Sequence, residues 1–170
     1  RRAIDSNTIM IAGSCPDYAF GNFDNIPALA DIAREFDIGF HVDCCLGSFI
    51  NAFRDQVGYP APYPFDFKVE GVTAITCDHH KYAYGPKGFS VVMFANREIR
   101  KHMLFSVSDW NGGFYATPSM AGSRPGAIIA GTWAAMFKTG KEGYKEKAKI
   151  VLDAVFNIKK SLENYPDIEI

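Results

Sequence analysis

Short apolar runs alternate with a segment of helical periodicity early in the chain, and this alternation limits the possible folds more than any other feature. Thr8 to Ala12 forms one apolar run, and Gly39 to Asp43 forms the next. Between them, Ile26 to Phe36 carries apolar residues at helical spacing, and Asp24 or Asn25 can act as the N-cap. The order strand, helix, strand predicts an α/β fold with a mostly parallel sheet and helices on both faces.

The middle of the chain predicts an antiparallel hairpin at the end of this sheet. Leu46 to Val57 is typical of a helix, whereas Thr73 to Cys77 and Ser90 to Ala95 are apolar runs typical of strands. These two runs are too close in sequence for a helical crossover, so we expect them to pair antiparallel. Lys81 would then lie on the constrained loop that connects them.

The last third of the chain predicts an ordered loop and two helices. Residues 110–126 are rich in Gly, Pro and Ser, and helices are expected over 127–138 and about 144–164. A possible strand at 168–170 stops with the sequence. Because nothing like a glycine-rich phosphate loop precedes Arg1, we expect this chain to be a piece of a longer polypeptide.

Charge and hydropathy argue against nucleic acid and membrane as partners. The 170 residues carry a net charge of −1, which leaves no basic excess for nucleic acid or an anionic membrane surface. No apolar run approaches the roughly 18 to 20 residues that span a bilayer, and the start lacks the apolar core of a secretory signal. We therefore expect no membrane segment in this chain, although an anchor elsewhere in the polypeptide stays possible.

The cysteines are expected to be free thiols rather than disulfides or metal ligands. They lack C-x-x-C spacing, which favours buried thiols in a reducing compartment and a cytoplasmic location. A zinc site is the alternative, but neighbouring residues on an extended segment point in opposite directions, so we expect no metal. The residues that such a zinc site would use are His41, His79, His80, Cys44, Cys45 and Cys77.

A lysine after two histidines is the strongest chemical signal. Lys81 is followed by a glycine-bracketed turn and a strand, which is typical of a lysine that forms a Schiff base. Asp43 ends an apolar strand, where open α/β sheets place ligand contacts. An aldehyde cofactor with a basic ring nitrogen needs such an amine and such an anion. The alternatives are an ordinary surface lysine and an aspartate that caps the helix beginning near Leu46.

Motifs along the whole chain carry a family resemblance. The chain resembles the sphingosine-1-phosphate lyases, within the group II decarboxylase branch of the fold-type-I pyridoxal-phosphate enzymes. The Asp-Trp and Ala-Gly-Ser-Arg-Pro-Gly segments favour the lyases over amino-acid decarboxylases. The matching segments are residues 1–4, 14–21, 41–47, 58–60, 64–67, 72–73, 80–82, 86–88, 109–110 and 121–126.

The resemblance implies a pyridoxal 5'-phosphate site on this chain. Lys81 is then the residue that forms the imine, in a site that lowers its pKa so that the amine becomes a nucleophile. His80 is implied near the cofactor phosphate, and Asp43 beside the pyridinium nitrogen. Cys44 replaces the alanine that packs by the cofactor ring in the usual family motif, so it is expected in contact with the cofactor.

The resemblance also implies residues for the substrate and for a second subunit. Lys87, six positions after Lys81, is expected to bind the phosphate of a phosphorylated sphingoid base, together with Arg124. Tyr18 corresponds to an aromatic position of the active site, expected to be catalytic. Ser123, a cofactor contact, and Arg124 lie on a loop that approaches the active site of the neighbouring subunit. We therefore expect a homodimer with a shared active site.

The reaction implied by the resemblance is a retro-aldol cleavage of a long-chain base phosphate. Its products are a fatty aldehyde and phosphoethanolamine. Residues 1–140 are expected to form the C-terminal part of the cofactor-binding large domain, and residues 141–170 a helix that leads into a small C-terminal domain. The alternatives are an amino-acid decarboxylase, which has less need for Lys87, and a catalytically silent paralogue or scaffold that keeps the fold.

Overall fold

A four-stranded mixed sheet and a short two-stranded sheet organise the chain. The computed structural model describes residues 1–169. Single 3-10 turns lie at Asp55–Val57 and Lys101–Met103. In chain order the strands and α-helices are β1 (Met10–Ser14), α1 (Ile26–Glu35), β2 (Gly39–Asp43), α2 (Ser48–Asn51), β3 (Ala74–Asp78), β4 (Ser90–Phe94), α3 (Arg97–Arg100), β5 (Phe105–Val107), β6 (Tyr115–Thr117) and α4 (Gly126–Leu162).

The strand order β1-β2-β3-β4 confirms the predicted parallel sheet and its antiparallel hairpin. In the parallel pairs, Ser14 lies opposite Asp43, and Asp43 opposite Thr76. Strand β4 runs antiparallel to β3, with Asp78 opposite Ser90. One edge of the sheet therefore contains the carboxyl ends of β1, β2 and β3 together with the first residue of β4. The connection that carries Lys81 leaves from this edge.

Helix α1 and one face of the sheet form the main core. Asn25 is the N-cap of α1, as one of the two predicted alternatives, since its side chain accepts a hydrogen bond from the Ala28 amide at 3.1 Å. The other face of the sheet is open to solvent at Met10 and Val92, which are 54% and 41% exposed. The buried residues of the core are Cys15, Ile26, Ala30, Ala33, Phe40, Val42, Cys44, Val72 and Ile75.

A second apolar cluster joins α2 and α4 beneath the turn that follows β3. Ile50 of α2 packs with Ala148 and Leu152 of α4, and Tyr82 packs against this cluster. The buried hydroxyl of Tyr144 donates a hydrogen bond to the Ala83 carbonyl at 2.8 Å. Helix α4 thus supports the backbone of the turn that contains Lys81.

The helix predicted over 46–57 is much shorter in the structure. Helix α2 lasts one turn, and the chain then continues with tighter hydrogen bonds between residues three apart before the 3-10 turn. Gly58 follows with φ of 87°, a left-handed conformation that ends the segment. The Arg54 guanidinium donates to the Tyr59 carbonyl at 2.8 Å and holds this exit in place.

The last third of the chain contains one element that the sequence reasoning missed. The predicted loop over 110–126 includes β6, which pairs antiparallel with β5 over three residues, too few for a recognisable alternation. The two predicted helices are present but joined, because only Gly140, with φ of 61° and ψ of 176°, leaves the helical conformation inside α4. Ile168 and Glu169 form no strand, and the last residue of the predicted strand, Ile170, lies outside the described residues.

Over residues 1–169, no helix combines the length and the apolar character that crossing a bilayer requires. This holds for α4 as well, although its 37 residues make it the longest helix described.

Gly47 allows the segment before α2 to approach the chain that follows β1. A Cβ atom at this position would lie 2.3 Å from the Cys15 carbonyl oxygen and 2.6 Å from Cδ of Pro16. The Asn51 carboxamide uses the same space to donate a hydrogen bond to the Cys15 carbonyl at 2.8 Å. The contact fixes the path of the chain at the carboxyl edge of the sheet.

Gly47→Ala is expected to destabilise the protein by about 3 kcal/mol, since backbone atoms must move to make room for one methyl group. Thermal and urea unfolding of the full-length protein measure the effect. Gly126→Ala is the matched control, because a Cβ atom there meets nothing within 4 Å. Equal stability of the two variants would show that the close approach at Gly47 does not exist.

His79 is a titratable group placed inside an aromatic cluster. It is 8% exposed, and its ring lies 5.2 Å from the rings of both Phe49 and Phe89, centroid to centroid. Its Nδ1 atom has no hydrogen-bond partner among residues 1–169. Burial lowers the pKa of His79, and burial also lowers the pKa of His41. Both imidazoles are therefore favoured in their neutral form in the folded protein.

Stability is expected to fall as the pH drops below about 6.5, because the unfolded state then binds protons that the folded histidines resist. His79→Gln removes one such group and should flatten the acid side of the stability curve, by at most about 1.4 kcal/mol per pH unit. Urea unfolding at several pH values measures the slope. His102→Gln, on the exposed surface, is the control, and an unchanged slope in His79→Gln would refute this role of His79.

Candidate functional site

The carboxyl edge of the parallel strands gathers the charged residues of the candidate site. Asp43 and Asp78 are the last residues of β2 and β3, which are neighbours in the sheet. Because side chains alternate along a strand and Asp43 pairs with Thr76, both carboxylates lie on the same face. That face is opposite the one covered by α1.

Asp43 is held as an anion by two hydrogen-bond donors and by the nearby His41. Its Oδ1 accepts hydrogen bonds from the Cys45 amide at 2.9 Å and from the Thr76 hydroxyl at 3.1 Å. His41 Nε2 lies 3.2 Å from the same hydroxyl oxygen. Burial raises the pKa of Asp43, but the hydrogen bonds from Cys45 and Thr76 and the nearby His41 outweigh it, so that the pKa ends below its usual range.

Lys81 lies in the turn after β3, with its amine directed back to the same edge. Its Nζ atom lies 3.0 Å from Oδ2 of Asp78, and its amine also contacts the Cys45 thiol. The Cys45 amide donates a hydrogen bond to Asp43 at 2.9 Å. Cys45 therefore lies beside both Lys81 and Asp43, which the sequence predicted to act together.

The structure corrects the expected pKa of Lys81. We expected the site to lower the pKa, and partial burial does act in that direction. The hydrogen bonds to Cys45 and Asp78 and the negative charge of Asp78 outweigh burial and raise the pKa above its usual value. In this state of the protein Lys81 is an ammonium ion paired with a carboxylate rather than a free amine.

Asp78 connects Lys81 to the hairpin. Its Oδ1 accepts a hydrogen bond from the Ser90 hydroxyl at 2.5 Å, and its Oδ2 lies 3.7 Å from Nε2 of His80. The other ring nitrogen of His80 lies 3.1 Å from the Phe89 carbonyl oxygen. His80 and Lys81 are thus fixed to the two strands of the hairpin through one carboxylate.

Sequence reasoning missed Cys45 and Asp78. Alternation could have identified Cys45, because it lies two residues after Asp43 and so shares its side of the extended chain. The spacing of three residues between Asp78 and Lys81 in a predicted turn could have indicated the ion pair. Neither signal is specific without the register between β2 and β3.

Cys44 lies on the other side of β2 from Asp43. Its side chain is fully buried in the core under α1, and its thiol contacts that of Cys15. That contact and burial both raise the pKa of Cys44. The structure therefore separates Cys44 from Lys81, because consecutive residues of an extended chain face opposite ways. All four cysteines are free.

The remaining predicted site residues are exposed. Tyr18 is 85% exposed and lines a groove of about 950 Å³ beside α2 and the end of α4. The guanidinium of Arg124 donates to the Ala121 carbonyl at 3.1 Å, within its own loop. Lys87 and Ser123 are both exposed. Among residues 1–169, no hydrogen bond or ion pair joins any of these four side chains to Lys81.

The residues at the sheet edge fit an aldehyde cofactor with a basic ring nitrogen. Lys81 supplies a primary amine, and Asp43 supplies a carboxylate that the site keeps ionised. Both groups lie at the same edge of the sheet, because Asp43 ends β2 and Lys81 is paired with Asp78 at the end of β3. As for metal ions, in residues 1–169 no three side chains of His, Cys, Asp or Glu are grouped so that they could hold one.

Curated relatives match the chain over nearly its whole length. It is 49% identical over 168 residues to sphingosine-1-phosphate lyase 1 of Rattus norvegicus, covering 99% of this chain and 30% of the relative. It is 44% identical to the sphingosine-1-phosphate lyase of Saccharomyces cerevisiae, covering 100% of this chain and 29% of the relative. The chain thus spans less than a third of the length of these relatives. No family model matches it.

Solved structures support the same assignment of the fold. A sphingosine-1-phosphate lyase of Burkholderia pseudomallei aligns with a TM-score of 0.91 and 42% identity, over 98% of this chain and 38% of that one. Glutamate decarboxylase of Lactobacillus brevis aligns with a TM-score of 0.76 and 24% identity, over 95% and 37%. The second similarity concerns the fold alone. The predicted resemblance is confirmed: this chain is similar, from end to end, to one segment of the sphingosine-1-phosphate lyases, and it has the fold of that segment.

Proposed function

We propose that the full-length protein is a pyridoxal 5'-phosphate-dependent lyase that cleaves phosphorylated sphingoid bases, such as sphingosine 1-phosphate, into a fatty aldehyde and phosphoethanolamine. The observation that carries the proposal is that the ion pair with Asp78 holds the Lys81 amine at the carboxyl edge of the sheet, where Asp43 ends the neighbouring strand. The identity of 49% to a sphingosine-1-phosphate lyase supports the choice of substrate class.

Three residues are assigned to the cofactor. Lys81 attaches it covalently, Asp43 faces its ring nitrogen, and His80 lies at its phosphate group. When bound, the cofactor supplies an electron sink for the pair of electrons released by the breaking carbon–carbon bond. Asp43 suits its role because its hydrogen bonds keep it ionised, and a fixed anion holds a positive charge on a ring nitrogen.

The other assigned residues act from the surface of this chain. Lys87 and Arg124 bind the substrate phosphate, Ser123 contacts the cofactor, and Tyr18 is a catalytic group. Their exposure supports sites that a second subunit or another part of the polypeptide completes. For Cys44 we keep only an indirect contribution, through packing below β2, since its thiol is buried beside Cys15.

A homodimer is the assembly that we propose. The first half of α4 exposes an aromatic pair, Trp133 and Phe137, which stack with centroids 5.2 Å apart and are 65% and 76% exposed. Phe114 and Met120, on the loop before α4, are also exposed. Exposed apolar surface of this kind marks a protein interface. The loop with Ser123 and Arg124 lies in the same stretch of chain and would reach the active site of the other subunit.

We also propose how the chain is divided and where it functions. Residues 1–140 belong to the cofactor-binding domain, and the segment from residue 141 onward, which is helical as far as Leu162, leads into a smaller domain. The break of helical conformation at Gly140 supports this boundary. Four free cysteines support a reducing compartment such as the cytoplasm.

An amino-acid decarboxylase is the nearest alternative activity, and it would use the same Lys81 and Asp43. The structural similarity to glutamate decarboxylase extends only to the fold, at 24% identity. A decarboxylase has no phosphate group to bind on its substrate, so Lys87 and Arg124 would have no assigned task. The lyase accounts for more of the chain.

Lys81→Ala in the full-length protein is expected to abolish turnover while leaving the fold intact, because Lys81 belongs to neither apolar cluster and Asp78 keeps its hydrogen bond from Ser90. Borohydride reduction of the wild-type protein should attach the cofactor irreversibly to Lys81, as read by peptide mass spectrometry. Lys101→Ala, at an exposed ion pair, is the control variant. Near-normal turnover by Lys81→Ala would reject the assignment.

Product analysis separates the two activities. With a phosphorylated sphingoid base, the wild-type protein should release a fatty aldehyde, and with amino acids it should release no carbon dioxide. Lys87→Ala is expected to raise KM for the phosphorylated base by roughly tenfold to a hundredfold, the cost of one charge-assisted hydrogen bond, and to leave cofactor attachment unchanged. Carbon dioxide without aldehyde would reject the lyase and support the decarboxylase.

A further inference from the structure

The ion pair between Asp78 and Lys81 is unusually enclosed for two residues three positions apart. Their side chains are 16% and 28% exposed, whereas the pair of Glu98 and Lys101, with the same spacing, is 76% and 57% exposed. Exposed pairs of this kind contribute little to stability, because solvent screens them and the side chains lose freedom. The partial burial of Asp78 and Lys81 strengthens their attraction.

Both carboxylate oxygens of Asp78 have polar partners, which set the orientation of the carboxylate. Ser90, the first residue of β4, donates to Oδ1 at 2.5 Å, while Oδ2 faces Lys81 at 3.0 Å and His80 at 3.7 Å. Ser90 pairs with Asp78 across the hairpin, so the backbone register sets this geometry. The hydrogen bond from Ser90 does not depend on Lys81, so it orients the carboxylate before the amine binds, and the amine comes to a fixed acceptor.

We propose that Asp78 is a positioning residue for Lys81: its carboxylate, fixed by Ser90, holds the Lys81 ammonium at the carboxyl edge of the sheet whenever that amine is not covalently engaged. This inference rests on the proposed function, since it gives Lys81 a resting position beside Asp43. Asp78 is not assigned as a proton acceptor, because its hydrogen bonds with Ser90 and Lys81 outweigh burial and lower its pKa. A carboxylate of that kind is a weak base.

The other groups that act on Lys81 do not replace Asp78. Cys45, from the segment after β2, contacts the amine, but burial raises the pKa of its thiol, so near neutral pH it offers a hydrogen bond rather than a charge. Asp43 reaches Lys81 through Cys45, and His80 acts on the Asp78 carboxylate. Among the described residues, Asp78 is the anion in direct contact with the amine.

Competitive acetylation tests the proposal without cofactor. The full-length protein, prepared free of cofactor, is treated with trace acetic anhydride across a range of pH, and the extent of Lys81 labelling is read by peptide mass spectrometry. In Asp78→Asn the midpoint of the labelling curve should move to lower pH, and each unit of movement raises labelling at a fixed lower pH about tenfold. Loss of packing alone would expose the amine, relieve the lowering of its pKa by burial and move the midpoint to higher pH, the opposite direction.

Three further variants serve as comparisons in the acetylation test. Ser90→Ala should move the midpoint in the same direction by a smaller amount, and Asp78→Glu should restore part of the wild-type value. Glu98→Gln, which removes the exposed pair of equal spacing, should leave the Lys81 curve unchanged. If Asp78→Asn fails to fold, Ser90→Ala carries the test.

An unchanged labelling midpoint in folded Asp78→Asn would overturn the positioning role. If that variant does not fold, an unchanged midpoint in Ser90→Ala would do so instead. A failure of the proposed function has a different signature. In that case borohydride would not attach the cofactor to Lys81 in the wild-type protein, while the acetylation midpoint would still depend on Asp78.

Discussion

The parallel pairing of β2 with β3 is the constraint on which the candidate site depends. Asp43 and Asp78 end two neighbouring strands that run in the same direction, so the sheet register alone places both carboxylates at one edge and on one face. The antiparallel return of β4 then brings Ser90 to Asp78 and closes the connection that carries Lys81. A shift of one residue in this register would place the two carboxylates on opposite faces of the sheet.

The two carboxylates of the site, Asp43 and Asp78, have different roles. Asp43 is stabilised by the Cys45 amide and the Thr76 hydroxyl, neither of which carries charge, so its anion remains available for a cationic ligand. Asp78 is stabilised in part by Lys81 itself, so its negative charge is already paired with the Lys81 ammonium. This division explains how a lysine can have a raised pKa in a site where it is proposed to react as an amine. The pair describes the resting protein, and binding of an aldehyde has to compete with Asp78.

Much of the fold could be predicted because its signals are local. The apolar run Gly39–Asp43 and the strand after it in the sheet follow from pattern, and the placement of Lys81 in an antiparallel connection follows from the short spacing between two strands. The contacts of Cys45 and Cys44 could not be predicted from sequence alone. They depend on the residue at which β2 ends and on which residue is the first to lie beyond the carboxyl edge of the sheet. The pairing of β5 with β6 was missed because three residues give too little alternation.

A structure of the full-length protein with pyridoxal 5'-phosphate would show whether Lys81 and Asp43 serve one bound cofactor. We expect continuous density between Nζ of Lys81 and the cofactor, with the Asp43 carboxylate facing the ring nitrogen from the carboxyl edge of the sheet. Density that leaves Nζ of Lys81 in bulk solvent and turned away from Asp43, with the cofactor held elsewhere, would contradict it.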